Sequence, residues 1–216
     1  DVEPPYRTIV YFPGAYAIFR RENPSVAENH IALFLLRSGY AVLFPVYKGT
    51  FERGTDLAEL SSDWKFETNS YREHVIQWSK DLGRSLDYLE TRSDITMDRL
   101  GYFGISWGAA TAPIMIAVEQ RIKAAVLVVG GLDWAPIQPE IDPLNFLTRV
   151  RVPTRMVNLS ADYYYPLETL AKPFYKLLGG APKDMIVIEG AGHFTPKKRI
   201  ISETLDWFDR FPAPKP

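Results

Sequence analysis

The sequence predicts an α/β domain: a mostly parallel sheet of about six strands with helices on both faces. Three observations predict it. Strand-like and helix-like segments alternate along the 216 residues, the pattern of a parallel sheet covered on both sides. Hydrophobic residues make up 46% of the chain, enough for one sizeable core. A strand, a tight turn and a helix are written around Gly104-Ile105-Ser106-Trp107-Gly108.

The elements follow in order. Residues 7–12 form the first strand, apolar and β-branched at Ile9 and Val10. Ser25-Val26-Ala27-Glu28 has the spacing of a capping box and opens a helix through about Arg37. Residues 40–44 are a second strand. Residues 73–90 are a helix, because Val75, Leu82, Leu86 and Leu89 fall on one face. Residues 100–103 lead into the serine turn, and 109–118 into the helix behind it. Residues 124–129 and 154–159 are strands, 167–178 a helix and 185–188 the last strand. Thr195-Pro196 caps a final helix carrying Ile201, Leu205 and Phe208. The longest irregular stretches are 46–71 and 130–151, and long loops in a compact domain tend to be functional. No domain boundary interrupts 1–216, and the Pro-rich tail at 212–216 reads as frayed.

Composition narrows the function. The formal net charge of −1 gives no reason to expect nucleic acid or an acidic membrane surface as partner. Without cysteine there is no disulfide, no Cys-ligated zinc and no Cys nucleophile, and the compartment stays open. No run approaches the roughly 18 apolar residues of a membrane span, and no signal peptide is visible. The chain opens with Asp1 rather than Met, which reads as a processed product or an excised piece.

The pentapeptide carries the chemistry. Side chains at Gly104 and Gly108 would collide with a tight turn and a crossing helix, and the turn lifts the Ser106 hydroxyl to the top of the sheet. A serine hydroxyl needs a base. Of the three histidines, His30 and His74 fall on helices and read as surface or interfacial residues. His193 follows the last strand in a loop shaped by Gly190 and Gly192. The base needs a carboxylate, either Asp162 or Asp133, both just past strands; Asp162 is favoured for its short offset from the strand end. An oxyanion needs two N–H donors, expected from Trp107 and from Ala15, with Tyr16 as the alternative. Tyr16, Trp134, Tyr163 and Phe194 are the expected substrate-binding aromatics, joined nearby by Trp107, Tyr164 and Tyr165. Arg53 could pair a substrate carboxylate, though a solvated surface charge is the simpler expectation.

Taken together, Pro13-Gly14-Ala15, the elbow at 104–108, Asp162 and Gly192-His193 resemble the α/β-hydrolase superfamily over nearly the whole chain. The dienelactone-hydrolase and prolyl-oligopeptidase-like branch is the most similar part of it. Val46-Tyr47-Lys48-Gly49-Thr50, His74, Asp81-Leu82-Gly83-Arg84-Ser85 and Tyr88-Leu89-Glu90 look like hydrolase domains appended to bacterial protein kinases. Dienelactone hydrolases proper carry a Cys nucleophile where Ser106 stands, so the resemblance implies serine esterase chemistry. It also implies a compact fold lacking the usual first two strands, which are absent or lie upstream in a longer multidomain protein. A kinase-linked domain would be cytoplasmic. The expectation is a carboxylesterase-type serine hydrolase acting on small or medium acyl or aryl esters, with a small-molecule substrate and neither metal nor organic cofactor. A prolyl-oligopeptidase-type peptidase and a non-catalytic sensory module on the same scaffold are the alternatives.

Overall fold

Six strands run parallel in the order β2-β1-β3-β4-β5-β6. They are β1 (Tyr6–Phe12), β2 (Ala41–Leu43), β3 (Ile95–Ile105), β4 (Ala124–Val128), β5 (Thr154–Asp162) and β6 (Lys183–Gly192). The computed structural model describes residues 3–23, 32–63, 65–179, 182–194 and 196–211. The capping box at 25–28, His30, Thr195 and the 212–216 tail lie outside the described residues.

Alternation along each strand divides the core between the two faces. Val10, Phe12, Tyr102, Leu127 and Met156 pack against helix α4 (Asn69–Glu90) through Val75, Trp78, Leu82 and Leu86. Ile9, Tyr11, Phe103, Val126, Val128 and Val157 face the other way, onto Phe34 and Leu35 of α2 (Leu33–Arg37) and Trp207 and Phe208 of α8 (Lys197–Arg210). Helices on both faces of a parallel sheet are what the alternating sequence predicts.

Several boundaries differ from the sequence reading. Helix α4 starts four residues before Glu73, because the Thr68 hydroxyl caps it by accepting from Tyr71 N–H at 3.2 Å. The 46–71 stretch is not irregular throughout: it holds a 3-10 turn at Phe51–Arg53 and helix α3 (Leu57–Ser62), which buries Leu57 and Leu60. The predicted 167–178 helix divides into a π-helical turn at Leu167–Ala171 and α7 (Lys172–Leu177). Strands β5 and β6 both run further toward their C-terminal ends than their apolar segments, since backbone pairing continues across polar residues to Asp162 and Gly192.

His74 is buried, not superficial. Its Nδ1 lies 2.8 Å from the Ser70 carbonyl and its Nε2 2.6 Å from Thr55 Oγ1. A carbonyl only accepts, so Nδ1 carries a proton. One and two turns on, Trp78 Nε1 donates to the Lys48 carbonyl at 2.8 Å, and Asp81 accepts from Lys48 N–H at 2.8 Å and pairs with Arg53 at 2.9 Å. One face of α4 thereby holds the whole 48–55 loop. Arg53 also donates to the Val46 carbonyl at 2.6 Å, so its guanidinium is committed to the fold.

On the other face Arg155, 2% exposed, joins β5 to β6 and α8. It donates to Asp184 at 2.9 Å, to Glu203 at 3.1 Å and to Asp206 at 2.7 Å, and lies 4.7 Å from the Trp207 ring centre. Removing the cation from three carboxylates is strongly unfavourable. Arg155→Ala is expected to lower unfolding stability by about 3 kcal/mol, reduced from the fully buried case because Asp184 and Asp206 are partly solvated. Urea denaturation at neutral pH measures it, and a loss below about 1 kcal/mol would mean the network is worth no more than a surface pair.

Candidate active site

The C-terminal ends of β3, β4, β5 and β6 gather the chemistry at one edge of the sheet. Ser106 follows β3 directly, with φ 53° and ψ −112°, a conformation that an L residue holds only under constraint. The constraints are visible. Ser106 N–H donates to the Val128 carbonyl at 2.8 Å, and Gly108 N–H to the Pro13 carbonyl at 3.1 Å. A Cβ on Gly104 would come within 2.5 Å of the Gly108 carbonyl oxygen, and one on Gly108 within 2.3 Å of that of Phe12. Both glycines are therefore steric requirements, although Gly108 is pressed by the end of β1 rather than by a crossing helix. The buried Tyr102 hydroxyl donates to the Gly108 carbonyl at 2.8 Å, a support the motif alone does not announce.

Helix α5 (Trp107–Ala110) starts at the serine, and α6 (Ala112–Val118) continues it after Thr111. The predicted single helix is thus two short ones, with Pro113 in the first turn of the second. The N–H groups of Ala109 and Ala110 donate to the Ser106 carbonyl at 2.9 and 2.8 Å, fixing the serine at the start of α5.

Parallel pairing of β5 with β6 sets Asp162 opposite Gly192. The ladder slips by one residue between Leu159 and Ala161, where the Ser160 hydroxyl accepts from Gly190 N–H at 3.1 Å. Gly190 and Gly192 have φ of 152° and 116°, which L side chains rarely adopt, so the loop that presents His193 requires both. His193 Nε2 stands 2.7 Å from Ser106 Oγ, and its Nδ1 2.9 Å from Asp162 Oδ2. Asp162 Oδ1 also accepts the backbone N–H groups of Tyr164 and Tyr165 at 2.8 and 3.0 Å. Burial works to raise the Asp162 carboxyl, but the hydrogen bonds from His193, Tyr165 and Tyr164 outweigh it and hold it below the usual carboxylate range. The anion beside Nδ1 fixes the proton there and leaves Nε2 to accept from the serine.

Asp133 does not reach His193. It lies on the loop after β4, half-buried, and burial followed by the charge of Asp142 pushes its carboxyl up to about 6.

Gly14 approaches the serine closely: a Cβ there would stand 3.6 Å from Ser106 Cβ. Ala15 caps the short helix α1 (Tyr16–Phe19), and Trp107 opens α5. Both backbone N–H groups sit where a helix has no carbonyl of its own to offer. Tyr16, half-buried, lies 3.3 Å from Tyr11 through the two hydroxyls. The Trp107 indole packs edge-on into Phe12 and Trp78, with centroids 4.9 and 4.8 Å away, so its side chain serves the core more than a pocket wall. Around His193 the rim is aromatic and open: Tyr163 is 62% and Phe194 87% exposed, and Tyr164 packs edge-on at 4.9 Å from the imidazole. Trp134, on the loop after β4, is also exposed. A separate groove of about 480 Å³ along the β2 edge, lined by Tyr6, Leu36, Tyr40, Leu43 and Tyr88, shares no residue with this site.

The chain is similar to several known proteins. Cutinase 2 of Thermobifida cellulosilytica is 28% identical over 188 residues, covering 80% of this chain and 68% of the cutinase. Cutinase cut1 of Thermobifida fusca has the same identity over the same share of this chain, which spans only 56% of that protein. A structure from Klebsiella pneumoniae assigned as a dienelactone hydrolase superposes with a TM-score of 0.74 at 16% identity, covering 98% of this chain and 90% of the other, a likeness of fold. These relationships support ester hydrolysis in general and single out no substrate. The family model described as PETase, PET hydrolase-like, matches residues 65–213, and the chain belongs to that family within the α/β hydrolases.

Proposed function

We propose that the protein is a carboxylesterase-type serine hydrolase that cleaves small or medium acyl and aryl esters through an acyl-enzyme on Ser106. The observation that carries this reading is the 2.7 Å approach of His193 Nε2 to Ser106 Oγ with Asp162 on the opposite ring nitrogen. His193 takes the serine proton as Oγ attacks the ester carbonyl. Trp107 and Ala15 N–H groups hold the resulting oxyanion, with Tyr16 N–H the alternative to Ala15. The imidazolium, stabilised by Asp162, then protonates the departing alkoxide. A water activated by His193 hydrolyses the acyl-enzyme in the same way.

Tyr16, Trp134, Tyr163 and Phe194 receive the apolar part of the substrate. The exposure of Trp134, Tyr163 and Phe194 suits a shallow, open site, in keeping with ester-cleaving relatives named as cutinases. A place within a longer, kinase-linked protein stays part of this proposal and rests on the sequence run from Val46 to Glu90 alone. A panel of p-nitrophenyl esters from acetate to palmitate is expected to give its highest kcat/KM at short or medium acyl length, with aminoacyl-naphthylamides uncleaved. A maximum on long-chain triglyceride emulsions would contradict the substrate range, and amide cleavage at comparable rates would favour a peptidase.

The histidines separate cleanly under this mechanism. His193→Ala is expected to remove on the order of 10⁴-fold of kcat with the fold retained. His74→Ala breaks the hydrogen bonds to Thr55 and Ser70, so it should act mainly on stability. Equal losses of kcat in the two variants at matched stability would reject the assignment of His193.

A further inference from the structure

Asp133 is a carboxylate with no partner in the fold. Among the described residues it has neither a hydrogen bond nor an ion pair, and no Lys or Arg contributes to the field at its carboxyl. Its position is nonetheless firmly built. Val129 turns the chain out of β4 with φ 47°, costly for a β-branched residue. The buried Asn158 amide donates to the Gly130 carbonyl at 2.9 Å. Leu132 N–H donates to the Leu170 carbonyl at 3.3 Å, and Gly131 abuts Tyr165, where a Cβ would meet Cδ1 at 3.0 Å.

The neighbours of Asp133 lead back to the reacting atoms. Its charge acts on the phenols of Tyr71 and Tyr165. Tyr71 is hydrogen-bonded by Trp107, the residue after the nucleophile, and the Tyr165 ring lies 5.9 Å from that of His193. Asp133 is partly exposed as a residue, while burial of its carboxyl penalises the charge. Asn would fill the same space without that penalty. A rigidly held, unpaired anion that disfavours the free fold, on a loop packed against Tyr165 and with its charge felt by two phenols, is an arrangement that a bound cation completes.

We infer that Asp133, with Tyr71 and Tyr165, forms a subsite for an ammonium group carried by the ester substrate, on the Trp107 side of Ser106. This inference rests on the esterase reading above and names a substrate class for it. The ammonium supplies the charge that Asp133 lacks, and the partly exposed Tyr165 ring supplies an aromatic face. Asp142 and Asp162 add to the negative field there, so esters bearing a distal carboxylate should be poor substrates.

Matched pairs test it, each member differing only in a quaternary nitrogen or the equivalent carbon. On the alcohol side these are choline butyrate and dimethylbutyl butyrate. On the acyl side they are the p-nitrophenyl esters of trimethylammoniobutyrate and dimethylhexanoate. In at least one pair the cationic ester is expected to be favoured about tenfold in kcat/KM. Asp133→Asn should erase that preference while leaving the neutral ester within about threefold. From pH 7 to pH 5 the preference should shrink as the Asp133 carboxyl, pushed up to about 6 by burial, takes a proton. Tyr71 and Tyr165 stay neutral over that range, their hydroxyls being raised by burial, and Asp162 stays ionised. Any contribution of His193 or Asp142 to the pH change persists in Asp133→Asn, so the part that belongs to Asp133 is the part the variant loses. No cationic preference in either pair, or a preference unchanged in Asp133→Asn, overturns the inference. If no ester is turned over at all, the esterase reading fails instead. Calorimetric binding of benzyltrimethylammonium then decides the subsite by itself: saturable binding lost in Asp133→Asn supports it, and equal or no binding rejects it. Asp133→Asn should unfold at a higher temperature than the parent at pH 8, so a folding defect would not mimic the expected loss.

Discussion

Ser106→Ala is expected to abolish ester hydrolysis, lowering kcat by about 10⁴-fold or more, in a protein that remains folded. The fold should survive because nothing in the turn depends on the hydroxyl. The positive φ of Ser106 is imposed by its N–H bond to Val128, the Gly108 bond to Pro13 and the close backbone packing at Gly104 and Gly108. All of these remain in the alanine variant. The hydroxyl itself faces His193 Nε2, and that contact is the one removed. Without it His193 can still activate a water and the oxyanion donors still stand, so a small residual rate is consistent with the mechanism. Hydrolysis of p-nitrophenyl butyrate, labelling by a fluorophosphonate probe and far-UV circular dichroism together make the measurement. A folded Ser106→Ala protein with near-parental turnover, or a parent that the probe does not label, would end the serine reading and favour a binding module on a hydrolase scaffold.

The parts of this molecule legible in its sequence are those set by local sterics and short-period patterning. The serine turn is readable because two glycines and a serine at fixed spacing have one backbone solution between a strand and a helix. The sheet is readable because Ile9 to Phe12 and Ala124 to Val128 are continuous apolar runs buried on both faces. What is decided by distant partners is not readable. His74 looks like a surface residue of a helix until Thr55 and the 48–55 loop fold onto it. Arg155 sits in a buried strand, and its three carboxylates come from positions 29 to 51 residues away. The extension of β6 to Gly192 is hidden because glycines in a loop and glycines continuing a slipped ladder look alike in sequence. Arg53, a candidate for gripping a substrate carboxylate, is instead tied to Asp81 by a helix face that also holds Trp78 and His74. Tyr71 precedes the serine by 35 residues, so nothing in the chain near Ser106 announces that its hydroxyl meets Trp107.

Asp162→Asn should lower kcat by about 10⁴-fold with KM little changed, whereas Asp133→Asn should leave turnover of a neutral ester within about threefold. The difference follows from what each carboxylate touches. Asp162 accepts from His193 Nδ1 and, through Oδ1, from the N–H groups of Tyr164 and Tyr165. An asparagine there keeps its carbonyl oxygen on the two backbone donors and turns its amide toward Nδ1. An amide N–H can only donate, so Nδ1 must accept, the ring proton moves to Nε2, and Nε2 can no longer receive the proton of Ser106. The imidazolium that forms as the serine attacks also loses its counter-charge. Both effects fall on the transition state, because substrate makes no contact with Asp162 itself, and therefore kcat carries the loss. Asp133 touches neither ring nitrogen, so the tautomer of His193 is indifferent to it. Steady-state kinetics of the two variants on p-nitrophenyl butyrate, with thermal unfolding as the control for folding, measure the contrast. Equal losses, or a larger loss in Asp133→Asn, would place the orienting carboxylate on the β4 loop and undo the assignment of Asp162.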